Sequence, residues 1–167
     1  KAQNLCESLN SIRKDTAEVI SGDLNHIESI SSIVKSIDSL DLLVNNASVF
    51  YPMSVEDSEI GNWDEVINVN LRAPFFLSKG LSKKLSSNNG SIINIIDIHA
   101  DRPLKNHAVY NISKAGLKMM TQTLAKELAP SIRVNGVSPG SILWPEASAE
   151  ISDSEKNLML ERIALNR

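Results

Sequence analysis

A tyrosine and a lysine four residues apart, Tyr110 and Lys114, offer the plainest chemistry in this sequence. At that spacing both side chains share one face of a helix, one turn apart. An ammonium beside a phenol lowers the phenol pKa from about 10 and suits it to proton transfer. Asp97 closes the largely apolar run Ser91-Ile92-Ile93-Asn94-Ile95-Ile96. That run reads as a buried strand, and open α/β sheets keep their sites at the carboxyl ends of such strands. Tyrosine–lysine pairs are common on amphipathic helices, so the weight of this one depends on what surrounds it.

Other residues stand where ligands could meet them. Asn45-Asn46-Ala47-Ser48 ends an apolar segment. Such a stretch forms a turn, or its amides and backbone groups line the edge of a cofactor. Asp23 either accepts hydrogen bonds from a base or caps a helix. Asn70 sits within an otherwise apolar helical stretch. A buried amide needs partners, so Asn70 ties a helix kink to a neighbouring loop or holds a water. Phe50 and Tyr51 follow the asparagine pair, as ligand platforms or as rings packed under their loop. The histidines, His26, His99 and His107, lack a metal-ligand spacing, and one cysteine, Cys6, adds no cluster. No metal site is expected. Ser113 has no nucleophile elbow around it.

Elements to position these groups can be read from periodicity. Residues 2–12 have a helical pattern. Val19-Ile20 reads as a short strand ending at Gly22-Asp23. Asn25 and Glu28 resemble a capping pair for a helix striped by Ile27, Ile30, Ile33, Val34 and Ile37. Residues 41–44 read as a buried strand, followed by a loop over 47–58. Trp63, Val66, Ile67 and Asn70 belong to the next helix, which bends or restarts at Pro74. Phe75, Phe76, Leu77, Leu81 and Leu85 continue its apolar face to a stop at Asn88-Asn89-Gly90. A strand over 92–96 and a polar loop to 106 come next. The helix over 108–128 carries Val109, Ile112, Gly116, Met119, Met120, Leu124 and Leu128 on or near one face, and Pro130 ends it. The last strand spans 132–137 and closes at Pro139-Gly140. Strands alternating with crossover-length helices predict a parallel sheet covered by helices on both faces. Val44, Ile96 and Val137 should end adjacent strands facing one cleft.

Composition agrees with one globular domain spanning residues 1–167. Charged residues are 22% and hydrophobic residues 42% of the 167. A net charge of −3 and a pI of about 5.6 point to neither a nucleic-acid nor an anionic-membrane partner. A single cysteine fits a reducing compartment, and a cytoplasmic location is expected. No run has membrane-spanning length, and no signal peptide is expected. A start at Lys1 and a stop without an obvious final element suggest a domain incomplete at both ends.

Asn45-Asn46-Ala47, Asn70 within Val69-Asn70-Leu71, Tyr110-x-x-x-Lys114, and Arg133-Val134-Asn135-x-Val137-x-Pro139-Gly140 occur in this order and spacing. Together they resemble the short-chain dehydrogenase/reductase family, over nearly the whole chain. The resemblance implies a Rossmann-like, doubly wound, three-layer α/β/α domain. Tyr110 would then be the proton donor. Lys114 would bind the nicotinamide ribose and lower the tyrosine pKa, and Asn70 would support a water-linked proton relay. Asp23 and Leu24 would meet the adenine end of the coenzyme. Asn45, Ala47, Ser48, Pro139, Gly140, Ser141 and Ile142 would line the rest of its pocket. The family's Gly-rich phosphate loop would precede Lys1, and its last strands would follow Arg167.

Asp97 departs from the family pattern, which has serine there. A carboxylate repels a developing oxyanion and disfavours a plain carbonyl substrate. With Asn45-Asn46-Ala47-Ser48-Val49-Phe50-Tyr51-Pro52, the segment from Asp97 to Leu104, and Ile142-Leu143-Trp144-Pro145-Glu146, it resembles the pteridine reductase branch, including bacterial dihydromonapterin reductases. That branch implies NADPH as coenzyme, a pterin stacked on Phe50, Asp97 and Tyr110 against the pterin, and a homotetramer built through the helices carrying Phe75 and Met119. The alternatives are a short-chain reductase of another carbonyl or quinone and, in a different class, a non-catalytic oligomeric scaffold. A scaffold needs none of Asn70, Tyr110 and Lys114.

Overall fold

The computed structural model describes residues 1–140 and, beyond them, Ser154, Asn157 and Glu161 alone. Helix α1 (Ala2–Ile12) is followed by α2 (Ile27–Ser36), β1 (Leu42–Asn45) and α3 (Ile60–Ile67). A π-helical turn (Asn68–Arg72) joins α3 to α4 (Ala73–Ser87). Then come β2 (Ser91–Ile95), a 3₁₀ turn (Ile98–Ala100), α5 (Ala108–Glu127) and β3 (Arg133–Val137). The strands form a parallel sheet in the order β1-β2-β3. The crossovers are helical, as parallel pairing requires. This is the expected parallel α/β sheet with flanking helices.

Register explains which side chains go inward. Leu43, Ile92 and Val134 are partners across the three strands and share one face. They pack with Leu81 and Leu85 of α4 and Leu117, Met120 and Leu124 of α5. Two residues further along, the same face becomes polar. Asn45 Nδ2 donates to Asn94 Oδ1 (2.8 Å), and Asn94 Nδ2 donates to Thr121 Oγ1 (2.9 Å). Thr121 Oγ1 donates in turn to Leu117 O (2.7 Å). These buried groups satisfy one another, so they hold strand ends to α5 without an orphaned dipole. The opposite face carries Leu42, Val44 and Val137, which are exposed among the described residues.

Gly136 completes the polar row beside Asn94. A Cβ there would run into Ile96 Cδ1, with Thr121 Cγ2 3.5 Å away. Gly136→Ala is therefore expected to cost about 1–3 kcal/mol through overpacking. A thermal melt should register the loss, and an unshifted midpoint would show that Ile96 yields freely.

Four local readings need correction. Val19 and Ile20 are exposed and belong to no strand, since two apolar residues find no partner strand among the described residues. Asn25 is not a helix cap. Helix α2 starts at Ile27 behind His26, and Asn25 Oδ1 instead accepts from Asn68 Nδ2 at 2.8 Å. Phe75 points outward, at 41% exposure. On α5, Ile112 and Met119 also face outward, while Tyr110, Ser113, Lys114, Leu117 and Thr121 are buried. Pro74 does fall at a restart, in the first turn of α4 directly after the π-helical turn.

Candidate active site

Tyr110 lies in the first turn of α5, so the first inward residues of that helix meet the carboxyl end of β2. Tyr110 Oη donates to Asp97 Oδ2 at 2.6 Å. The other carboxylate oxygen, Oδ1, accepts from the His99 N–H at 2.9 Å, which caps the 3₁₀ turn and fixes the carboxylate. Lys114 is 3% exposed, and its Nζ donates to Ile95 O at 3.0 Å. That ammonium lies 5.6 Å from the centre of the Tyr110 ring. The sequence places these three groups at residues 97, 110 and 114, and the fold brings them together.

The electrostatics run against one expectation. Tyr110 is pushed well above the usual phenol pKa, first by burial and then by its hydrogen bond to Asp97 and that carboxylate's charge. Lys114 is pushed below the usual lysine pKa by burial, with Asp97 pulling the other way. Burial and a contacting carboxylate thus set the direction of the tyrosine's shift. The phenol stands as a held proton, not as a ready phenolate.

Asn70 is almost fully buried in the π-helical turn. Its Oδ1 accepts from Val49 N (2.7 Å), and its Nδ2 donates to Val49 O (3.0 Å) and Ser113 Oγ (3.1 Å). Of the two sequence readings, the tie between a helix kink and a loop is therefore the one its side chain adopts. That tie fixes the residue before Phe50. The Phe50 ring stacks on His107 (4.8 Å between centres, 15° between planes) and meets Tyr110 edge-on (4.8 Å, 73°). Phe50 is nevertheless 56% exposed, which leaves much of its ring free for a ligand.

The remaining candidates divide. Asn45 turns its amide toward Asn94 and Ser78 Oγ (3.5 Å), so its side chain ties the end of β1 to β2 and α4. Ala47 and Ser48 are exposed directly after β1. Asp23 is exposed before α2, where its Oδ1 accepts from the Asn25 N–H (2.8 Å), and Leu24 packs partly beneath α2 and α4. Pro139 and Gly140 follow β3. Ser141, Ile142 and the 142–146 motif lie outside the described residues. Two site neighbours escaped the sequence reading. Sequence spacing presents His107 only as a metal ligand, although it caps the helix one turn before Tyr110. Ser113 was weighed only as a nucleophile. Among the described residues, no group of three or more His, Cys, Asp or Glu could hold a metal ion, and no helix is long and apolar enough to cross a membrane.

Comparison with known proteins gives a consistent picture. A short chain dehydrogenase family model matches residues 1–156. A trans-4-hydroxycyclohexanecarboxylate dehydrogenase from Sinomonas cyclohexanicum is 37% identical over 139 residues, covering 80% of this chain and 54% of the relative. The chain thus spans about half of that relative's length. A crystal structure of a putative NAD(P) dependent gluconate 5-dehydrogenase from Beutenbergia cavernae, with NADP bound at low occupancy, superposes with a TM-score of 0.85. It is 25% identical, over 98% of this chain and 68% of that one. L-sorbose reductase from Gluconobacter frateurii, crystallised with NADPH and L-sorbose, gives a TM-score of 0.81 at 28% identity, over 87% of this chain and 57% of that one. The fold class is accordingly the doubly wound, Rossmann-like one.

Proposed function

This chain belongs to the short-chain dehydrogenase family, and from that premise we propose that it carries the catalytic residues of an NADPH-dependent pteridine reductase. The observation that carries the reading is the Tyr110–Asp97 hydrogen bond of 2.6 Å, with the Phe50 ring against the same tyrosine. Asp97 offers an acceptor where the family pattern has a serine hydroxyl. A pterin meets that acceptor with ring N–H and amino donors, and its reduction needs a proton on nitrogen instead of a stabilised alkoxide. The exposed face of Phe50 suits a flat, electron-poor ring.

The residues present fit the nicotinamide end of a dinucleotide. Lys114 spends one N–H on Ile95 O, which leaves two donors for ribose hydroxyls. With it, Tyr110, the backbone of Ala47 and Ser48, and Pro139-Gly140 would hold the coenzyme, which supplies a hydride when bound. Tyr110 would hold the proton for reduction at the C7–N8 bond. For a dihydropterin reduced at C6–N5, Asp97 would position a protonating water. NADPH is preferred to NADH in this reading, in keeping with the NADP and NADPH present in two of the similar structures. Exposed Phe75, Ile112 and Met119 on α4 and α5 support self-association through those helices, to a tetramer.

A second reading has an observation of its own. The relatives' names describe alcohol and sugar chemistry, which favours a reductase of a carbonyl compound that tolerates aspartate at position 97. NADPH oxidation by the complete gene product, with dihydrobiopterin, dihydromonapterin, dihydrofolate and a simple ketone in parallel, separates the two. Turnover confined to the pteridines is expected. Preference for the ketone would replace the first reading with the second. Two variants sharpen the test. Asp97→Ser is expected to lower pterin turnover by at least about tenfold and to ease ketone reduction. Phe50→Ala is expected to raise the pterin KM about five-fold, the worth of ~1 kcal/mol of stacking, with a smaller change in kcat.

A further inference from the structure

We propose that Ser113 is a positioning residue, which sets the place of the Phe50 ring against Tyr110 through Asn70 and the backbone of Val49. The inference rests on the reading of Phe50 as the platform for a flat substrate. Phe50 is more than half exposed, so burial does little to hold its ring. Its position is inherited from the backbone on either side.

That backbone is pinned twice. On the near side, the Val49 N–H donates to Asn70 Oδ1, and the Val49 carbonyl accepts from Asn70 Nδ2. Because the Val49 N–H can only donate and its carbonyl can only accept, the orientation of the Asn70 amide is fixed. On the far side, the Met53 N–H donates to Asn106 O at 2.6 Å, and Met53 forms a parallel bridge with His107. Residues 50–52 arch between these pins. The far pin also brings in His107, on which Phe50 stacks.

The near pin holds only as firmly as Asn70 itself is held. Asn70 Nδ2 has two hydrogens. One goes to Val49 O and the other to Ser113 Oγ. Ser113 is fully buried on α5, and its hydroxyl is committed as well, donating to Tyr110 O at 2.7 Å. A continuous buried chain therefore runs from the backbone of the catalytic tyrosine through Ser113 and Asn70 to the residue before Phe50. It fixes platform and proton donor in one frame, on helix α5. The hydroxyl of Ser113 is the link that can be removed without touching a reactive group. An alanine would leave α5 intact and release the Asn70 amide at one end.

The test uses the complete gene product as wild type, Ser113→Ala, Phe50→Ala and the double variant, with dihydrobiopterin as the probe substrate. Ser113→Ala is expected to raise the dihydrobiopterin KM about two- to fivefold, no more than Phe50→Ala does, while kcat and NADPH affinity change less than about twofold. In the Phe50→Ala background the same substitution should add nothing, because the ring it positions is gone. A general structural defect would add to the Phe50→Ala effect. A second measurement is independent of the substrate. Protein labelled with 4-fluorophenylalanine gives a fluorine resonance for position 50, assigned by its loss in Phe50→Leu. That line should shift or broaden in Ser113→Ala. An unchanged line, an unchanged KM or an additive double variant overturns the proposal. If dihydrobiopterin is not reduced at all, the pterin reading falls, and the fluorine line alone decides whether Ser113 positions Phe50.

Discussion

With a fully oxidised pterin, reduced first at C7–N8, phenylalanine at position 110 is expected to lower turnover by about 10²–10⁴-fold, the usual worth of a general acid, with little change in coenzyme affinity. The substitution removes one oxygen and its proton. It leaves the ring that packs against Phe50 and the helix that carries Lys114. The pH profile should carry the same signature. An acid works while protonated, so activity is lost as pH rises through its pKa. Burial and the contact with Asp97 raise that pKa, so the alkaline fall should begin above the ordinary tyrosine range of about 10. Asp97→Asn takes away the carboxylate's share and should move the fall to lower pH. It should not restore the ordinary value, because burial, the larger cause, remains. Steady-state kinetics from neutral to strongly alkaline pH, with calorimetry of NADPH binding, would check both. Wild-type turnover from the phenylalanine variant would sink the assignment.

How far the sequence carries this site differs from element to element. The three strands lie within one residue of where their apolar runs place them, because short β-branched segments between helical stripes have few other ways to be buried. The parallel sheet follows from the helical crossovers. Helix α5 was harder. Counting apolar residues puts Ile112 and Met119 inside, yet both are outside. The inward face of α5 is partly polar because it must present Tyr110, Ser113 and Lys114 to the strand ends and Thr121 to Asn94. Hydrophobic periodicity is misled wherever a buried stripe carries function.

Within the site, residue types were legible and their mutual effects were not. Tyr110, Lys114 and Asp97 announce themselves by spacing and by their place after a strand. The Tyr110 shift follows first from its burial and then from the carboxylate 2.6 Å from its hydroxyl, while the ammonium lies 5.6 Å from the ring centre. Spacing along the chain cannot rank those distances. The Asn70 clamp on Val49 and Ser113 likewise joins residues that only the π-helical turn brings together. His107 owes its place to the Met53 bridge, a backbone contact between two loops that carries no sequence signature.

Lysine 114 gives the last large effect, and here geometry leaves two jobs to separate. Its ammonium donates to Ile95 O and so helps to hold the end of β2 to α5. Its remaining hydrogens are free for a coenzyme ribose. Lys114→Met keeps an unbranched apolar stem in a buried position and removes only the charge and the donors. If coenzyme binding is one of its jobs, NADPH affinity should fall by about tenfold or more, the scale of a lost charged hydrogen bond. Turnover should fall by about 10²-fold or more, as when a charge that stabilises the reacting groups is lost. If the lysine serves only Ile95, the variant should melt earlier and bind NADPH normally. Calorimetric titration with NADPH beside a thermal melt decides between them. Unchanged affinity with a lowered melting point would remove Lys114 from the coenzyme site and leave Tyr110 and Asp97 to carry the chemistry without it.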